Sequence, residues 1–159
     1  LEFTLPTAYK QVKFGLYGIA PATDSAEFMF QVDESGQSNF NKTITSTSFR
    51  AYNHESYAIS ILNYSTGDDQ AQGTAYQHLA HDVDNDADSC VSGELHLYNP
   101  SSTYVKHFMA RVPFSYDDGW IFDNHIAGYI NETVAIGEIS FKMSSGNISS
   151  GVIKMWGIK

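Results

Sequence analysis

The sequence has 159 residues, 42% of them hydrophobic and 14% aromatic, so it can form one domain with a full core and is not intrinsically disordered. Asp and Glu number 18 against 9 Lys and Arg, which gives a formal net charge of -9. A nucleic-acid-binding protein needs a basic surface to displace the counterions of phosphates, so nucleic acid is not an expected partner. No apolar run approaches the roughly 20 residues of a membrane-spanning helix, and we expect no membrane association.

Strand-like periodicity dominates almost the whole chain. Short apolar runs or strict alternation of apolar and polar residues occur at residues 27–32, 57–62, 94–98, 104–114, 138–143 and 151–156. Clusters of Asn, Asp, Gly, Pro and Ser separate these segments, as turns between strands do. The pattern predicts an all-β protein of about eight to ten strands: a jelly-roll-like antiparallel β-sandwich in which residues 1–159 form a single domain.

Three local features refine this expectation. The last two segments flank a polar loop that contains Gly146, which predicts a hairpin with one face of each strand on the core. Pro113 is expected to end the strand over residues 104–114. Residues 70–82 are the one place where a helical turn or two is an alternative, although Gly73 disfavours it. The core-facing residues of the last two strands are predicted to be Ile139, Phe141, Ile153 and Met155.

The most acidic stretch carries carboxylates at alternate positions, namely Asp82, Asp84, Asp86 and Asp88. Such spacing resembles the start of a helix–loop–helix calcium loop. That pattern then fails, because Ala87 stands where the sharp-turn glycine belongs and Gly93 where the closing glutamate belongs. Two interpretations remain: a calcium site that draws ligands from several loops of a sandwich, or a solvated acidic loop.

His78 and His81 are a candidate pair of zinc ligands, since residues at this spacing share a face if the segment is helical. A third ligand would come from His96, His107 or Asp84, and the sequence does not choose among them. The alternative is that both histidines are ordinary surface residues. The single cysteine, Cys90, cannot form an intrachain disulfide and is expected to be a small buried residue.

Aromatic and acidic residues are mixed in one stretch near the C-terminal third. Tyr116, Asp117, Asp118 and Trp120 have the chemistry of a sugar-contacting loop, in which rings stack on a pyranose and carboxylates accept bonds from hydroxyls. Together with Asp123, the same carboxylates are the one source of a glycosidase-like acid pair. No G-x-S-x-G elbow or phosphate-binding glycine-rich loop occurs, so we expect no enzymatic activity.

Several motifs in a fixed order resemble a known family. They are Leu5-Pro-Thr-Ala-Tyr9, Tyr17-Gly-Ile-Ala-Pro-Ala-Thr-Asp24, Val91-Ser-Gly-Glu-Leu-His-Leu-Tyr-Asn-Pro-Ser-Ser102, Val134-Ala-Ile-Gly-Glu-Ile-Ser-Phe141 and Ser150-Gly-Val-Ile-Lys-Met-Trp-Gly-Ile158. Their order resembles the jelly-roll domain of virion proteins of tailed bacteriophages, which often ends in sG-x-I-x-L-Y-G-I. Here Met155 and Trp156 replace the usual Leu and Tyr.

The resemblance implies a non-enzymatic structural protein located on the virion, as a capsid decoration, head fibre or tail-fibre module with a role in host attachment. It implies other capsid or tail proteins as partners, a homo-oligomer with a trimer favoured, and no catalytic residues or obligatory cofactor. The alternative function is a carbohydrate-binding module that recognises cell-surface glycan through the loops around Trp120.

Overall fold

A computed structural model describes residues 1–116 and 119–159. It confirms the predicted all-β architecture: two antiparallel sheets pack face to face as a sandwich. None of the described residues belongs to a helix long and apolar enough to cross a membrane.

Twelve strands form within the described part of the chain, more than the eight to ten expected, because very short segments pair as well. The strands are β1 (Glu2–Thr4), β2 (Gln11–Pro21), β3 (Ala26–Glu34), β4 (Ile44–His54), β5 (Ser60–Tyr64), β6 (Ala71–Gly73), β7 (Gln77–Val83), β8 (Val91–Tyr98), β9 (Lys106–Tyr116), β10 (Trp120–Ile130), β11 (Ile136–Met143) and β12 (Ile148–Ile158).

The two sheets have very different widths. The narrow sheet has four strands in the order β1-β11-β3-β7, whereas the wide sheet has eight, in the order β12-β2-β8-β9-β10-β4-β5 with β6 also paired to β4. The predicted hairpin between β11 and β12 is wrong, since β11 pairs with β1 and β3 while β12 pairs with β2. The polar loop after β11 therefore crosses from one sheet to the other.

Two further local expectations are corrected. Residues 70–82 contain the strands β6 and β7 and no helical turn. Pro113 does not end its strand, because β9 continues to Tyr116. The proline is tolerated because β8 and β9 have paired residues on either side of it, at Glu94 with Arg111 and Val91 with Phe114, but none at Pro113 itself.

An aromatic cluster lies at the centre of the sandwich. The ring of Phe141 packs 5.2 Å from that of Phe14 on the wide sheet and 5.9 Å from that of Phe28 on the neighbouring strand. All three side chains are fully buried. The predicted inward residues are confirmed, since Phe141 and Ile139 are buried and Ile153 and Met155 pack partly buried against the same core.

Burial on the inner face of the wide sheet decreases towards β5. Inward side chains of β2 and β8, such as Phe14 and Leu95, are completely buried. On β4 the inward Tyr52 is half-buried, and its partner Ile61 on β5 is exposed. The four-stranded sheet therefore does not cover the whole inner face of the eight-stranded sheet, and the β4–β5 end of the wide sheet extends beyond the core.

A buried carboxylate holds the loop between β3 and β4. Asp33 accepts hydrogen bonds from the backbone N–H groups of Glu34 at 2.8 Å, Asn39 at 2.7 Å and Phe40 at 2.9 Å, and the Lys42 ammonium lies 3.4 Å away. Burial alone opposes ionisation of Asp33, but these backbone bonds and Lys42 hold its pKa below the usual range.

Replacing the central ring tests the packing. We expect Phe141→Ala to lower the free energy of unfolding by about 3–5 kcal/mol, because a cavity is left among aromatic neighbours. Phe49→Ala is the matched control, since that ring is exposed on the wide sheet, and we expect about 0.5 kcal/mol or less. Urea unfolding measures both, and equal losses would contradict the assignment of Phe141 to the core.

The Asp33 loop makes stability depend on pH. At pH 7, Asp33→Asn should cost about 1–3 kcal/mol, because the amide cannot satisfy all the backbone donors that converge on it. Since the folded pKa is lowered, this stabilisation is fully present above the unfolded pKa of about 3.9 and is lost as the pH falls through the folded value.

Urea midpoints of the wild type and Asp33→Asn should therefore differ at pH 7 and converge in strong acid. Asp86→Asn, in an exposed loop, is the control and should leave the midpoint unchanged. If the urea midpoints of the wild type and Asp33→Asn differ as much in strong acid as at pH 7, the carboxylate is not the cause of the difference.

Candidate functional site

The first candidate site lies at the end of the wide sheet where β4, β9 and β10 meet. Trp120 is the first residue of β10 and is paired with His54 on one side and Tyr116 on the other. Its ring lies 4.6 Å from the imidazole of His54 and 5.8 Å from the ring of Tyr52. Trp120 and Tyr116 are both half-buried, so part of the aromatic surface faces solvent.

A cleft of about 390 Å³ opens beside Trp120. We call it the Trp120 cleft; its lining residues are Asn53, His54, Glu55, Asp88, Ser115, Tyr116, Gly119, Trp120 and Ile121. Gly119 has a φ of 80°, and a Cβ there would lie 2.4 Å from the Glu55 side chain, so glycine is needed for this turn. Indole and phenol rings thus lie beside two carboxylates, an amide and a hydroxyl.

The predicted sugar-contacting residues are only partly placed. Tyr116 and Trp120 both line the cleft, whereas Asp117 and Asp118 lie outside the described residues. Asp123 is not beside Trp120, because it lies on the opposite face of β10, in an ion pair with Arg111 at 2.8 Å. The Arg111 guanidinium lowers the pKa of Asp123. Asp123 therefore does not form an acid pair beside Trp120.

The acidic stretch has one inward residue among its four aspartates. Asp84 is buried and accepts hydrogen bonds from the backbone N–H and the hydroxyl of Ser25, both at 3.2 Å. Asp82, Asp86 and Asp88 are exposed. Among the described residues these aspartates do not form a group of three converging ligands. The calcium site stays a prediction, and Asp84 has a visible structural role in anchoring the β2–β3 turn.

A second candidate site is formed by histidines, but not in the manner the sequence suggests. His78 and His81 lie on the edge strand β7, and their rings are 5.3 Å apart. Glu27 on β3 completes a group of three metal-ligating side chains whose ligand atoms all lie within 4.8 Å of one another. The expected third ligands lie elsewhere: His96 bonds Gln11 at 2.5 Å on the wide sheet, His107 is exposed on β9, and Asp84 bonds Ser25.

A buried carboxylate, Asp68, lies behind the two imidazoles. Asp68 belongs to the loop between β5 and β6. Its backbone carbonyl accepts a 2.7 Å hydrogen bond from the side-chain amide of Gln77 on β7. Contact with Asp68 raises the pKa of His78. Although burial opposes ionisation of Asp68, hydrogen bonding to His78 and Ser65 and the charges of His81 and Arg50 lower its pKa. Neither Glu27 nor Asp68 was predicted from the sequence, because no local pattern links either residue to the histidines.

The cysteine expectation is corrected as well. Cys90 is exposed rather than buried, because it lies in the turn just before β8, where its backbone N–H bonds the hydroxyl of Ser115.

No family model, curated protein or solved structure gives a significant match to this chain.

Proposed function

We propose that the chain is a non-enzymatic structural protein of a bacteriophage particle, displayed on the virion surface as a capsid decoration, head fibre or tail-fibre module. The ordered sequence motifs support this proposal, and an all-β sandwich is the architecture they imply. We further propose that copies of the chain associate with one another through the edge strand β12, with a trimer favoured.

The observation that carries the proposal is the outer face of β12. This strand is eleven residues long, lies at the edge of the wide sheet and contains a single charged residue, Lys154. Its inward residues Ile153 and Met155 pack on the core. Its outward Val152 and Trp156 are nevertheless apolar and respectively 51% and 41% exposed. Core packing explains why Ile153 and Met155 are apolar. It does not explain why Val152 and Trp156 are apolar.

The neighbouring strand continues the apolar surface. Tyr17 of β2 is paired with Val152 and is half-exposed, and the Lys154 ammonium lies 5.6 Å from its ring. Long edge strands with exposed apolar residues are a hazard unless something covers them. The opposite edge strand, β5, also exposes apolar side chains, but with five residues it is less than half as long as β12.

Charge permits a second copy as the partner at β12. Two chains of net charge -9 repel each other over most of their surfaces. The β12 strand contains no acidic residue, so no carboxylate of this strand opposes the approach of a second copy. The motif at residues 150–158 would then specify both the core and the contact between copies.

Light scattering tests this contact. The wild type should have the mass of a trimer, and Trp156→Glu should have that of a monomer with an unchanged far-UV circular dichroism spectrum, because a carboxylate is buried at the contact. Tyr104→Glu is the matched control, since Tyr104 is 78% exposed in the loop between β8 and β9. A monomeric wild type, or a trimer that Trp156→Glu leaves intact, would contradict the proposal.

Glycan recognition is a second candidate function, favoured by the Trp120 cleft. Half-exposed rings of Trp120 and Tyr116 beside the carboxylates of Glu55 and Asp88 are the combination that holds a sugar, with stacking on one side and hydroxyl contacts on the other. The two functions are compatible, because a host-attachment protein on a particle needs both a contact between copies and a free binding surface.

The two tryptophans of the chain separate these surfaces experimentally. In a Trp156→Phe background, Trp120 is the sole indole, and its fluorescence should change on titration with a panel of neutral, amino-sugar and uronic-acid oligosaccharides. Trp120→Ala should reduce glycan affinity at least tenfold, whereas Trp156→Ala should not. Unchanged fluorescence with every oligosaccharide, or full affinity in Trp120→Ala, would exclude the cleft as a glycan site.

A further inference from the structure

We propose that Glu27, His78 and His81 form a zinc-binding site at the edge of the narrow sheet, and that Asp68 positions both imidazoles from behind. The site is distinct from β12 and from the Trp120 cleft, and the proposed virion function does not require it.

Backbone irregularities in β7 bring the two histidines to one side. In a regular strand, residues three apart point to opposite faces. Here Phe28 is paired with Ala80 and Met29 with His78, so Leu79 is an extra residue that forms a β-bulge. Leu79 and Ala80 are consequently both buried, while His78 and His81 both remain on the outer side. A second irregularity follows at Asp82, which has a φ of 44°.

Two nitrogen–oxygen distances within the cluster are close to those between the ligands of a tetrahedral zinc ion. His78 Nε2 lies 3.4 Å from Glu27 Oε2, and His81 Nδ1 lies 3.6 Å from Glu27 Oε1. Zinc binds nitrogen and oxygen at about 2.1 Å, which places tetrahedral ligand atoms about 3.4 Å apart. Two histidines and one glutamate leave a fourth position for water. The three side chains are between 18% and 33% exposed, so an ion can enter from solvent.

Asp68 contacts the remaining nitrogen of each imidazole. Its Oδ1 lies 3.5 Å from His78 Nδ1 and is in close contact with His81 Nε2. The Asp68 side chain is 1% exposed. Asp68 Oδ1 and His78 Nδ1 are both buried, and neither has a hydrogen bond of good geometry among the described residues. A carboxylate behind zinc-bound histidines usually orients the rings and selects the tautomer.

This arrangement selects one tautomer of each histidine. A neutral imidazole has one N–H and one lone pair. With each N–H directed at Asp68, the lone pairs of His78 Nε2 and His81 Nδ1 both face the Glu27 carboxylate. Two lone pairs and an anion repel one another unless a cation lies between them. A divalent ion also balances the charge of Glu27, whose salt-bridge partners among the described residues are the two histidines, whereas the charge of Asp68 is already offset in part by Arg50.

Ligand chemistry favours zinc over calcium. Imidazole nitrogens suit zinc and other late first-row metals, whereas calcium takes six to eight oxygen ligands. The alternative occupant of the cluster is a proton on each imidazole, which would make it a set of ion pairs without metal. The two alternatives differ in whether added zinc binds and stabilises the fold.

Isothermal titration of the chelator-stripped full chain with zinc chloride, followed by thermal melting, tests the proposal. We expect one zinc per chain, micromolar or tighter affinity and a higher melting temperature with zinc. Calcium chloride should bind there at least a hundredfold more weakly. His81→Gln and Glu27→Gln should each lower zinc affinity at least tenfold, and Asp68→Asn about 10–100-fold through loss of ring orientation.

His107→Gln is the matched control, because His107 is exposed on β9 of the wide sheet, whereas Glu27 lies on β3 of the narrow sheet. This variant should bind zinc like the wild type. If His81→Gln fails to fold without metal, the partly exposed Glu27→Gln decides the question. Absence of zinc binding by the wild type would overturn the proposal in favour of protonated ion pairs. Binding that Glu27→Gln and His81→Gln leave unchanged would also overturn it.

Discussion

The structure depends on a mismatch between its two layers, because a four-stranded sheet packs on an eight-stranded one. The rings of Phe14, Phe28 and Phe141 fill the region where both sheets are present. Beyond that region the wide sheet has no second layer to bury its apolar residues, and side chains such as Tyr52 and Phe122 are only half-buried. A sandwich of equal sheets would cover the inner face of every strand, whereas this one leaves inward aromatic side chains at the β4–β5 end partly exposed.

The Trp120 cleft lies at the boundary that this mismatch creates, and the other two candidate surfaces lie at sheet edges. The Trp120 cleft forms where β4, β9 and β10 extend past the core. The outer face of β12 lies at the other end of the wide sheet. The histidine cluster lies at the edge strand β7, where a loop of the wide sheet passes alongside the narrow one and contributes Asp68. The packed core thus fixes the positions of these residues, although they do not belong to its hydrophobic cluster.

Sequence patterns predicted well which side chains of a strand face the core, and poorly which strands pair with each other. Alternation at β11 and β12 correctly identified Phe141 and Ile153 as inward residues, because strand periodicity depends only on local geometry. The same alternation gave the wrong hairpin, because neighbours in a sheet are chosen by packing across the whole chain. Residues 1–116 and 119–159 nevertheless form the predicted β-sandwich.

The candidate sites show the same limit. The sequence singled out His78 and His81, but the shared face depends on a bulge at Leu79 that no local pattern indicates. Glu27 and Asp68 are separated from His78 by 51 and 10 residues, so only the folded sheets bring them together. Trp120 and Tyr116 were found from composition alone, since aromatic residues beside carboxylates are conspicuous in any stretch of sequence.

If β12 joins copies of the chain, amide hydrogen exchange across residues 148–158 will detect the contact. In an edge strand every second backbone N–H points away from its partner, so in a free monomer these amides should exchange rapidly. We expect the outward amides of β12 to exchange more slowly as protein concentration rises, and the exchange of the amides of the opposite edge strand β5 not to change. Rapid exchange of the β12 amides at every concentration would contradict it.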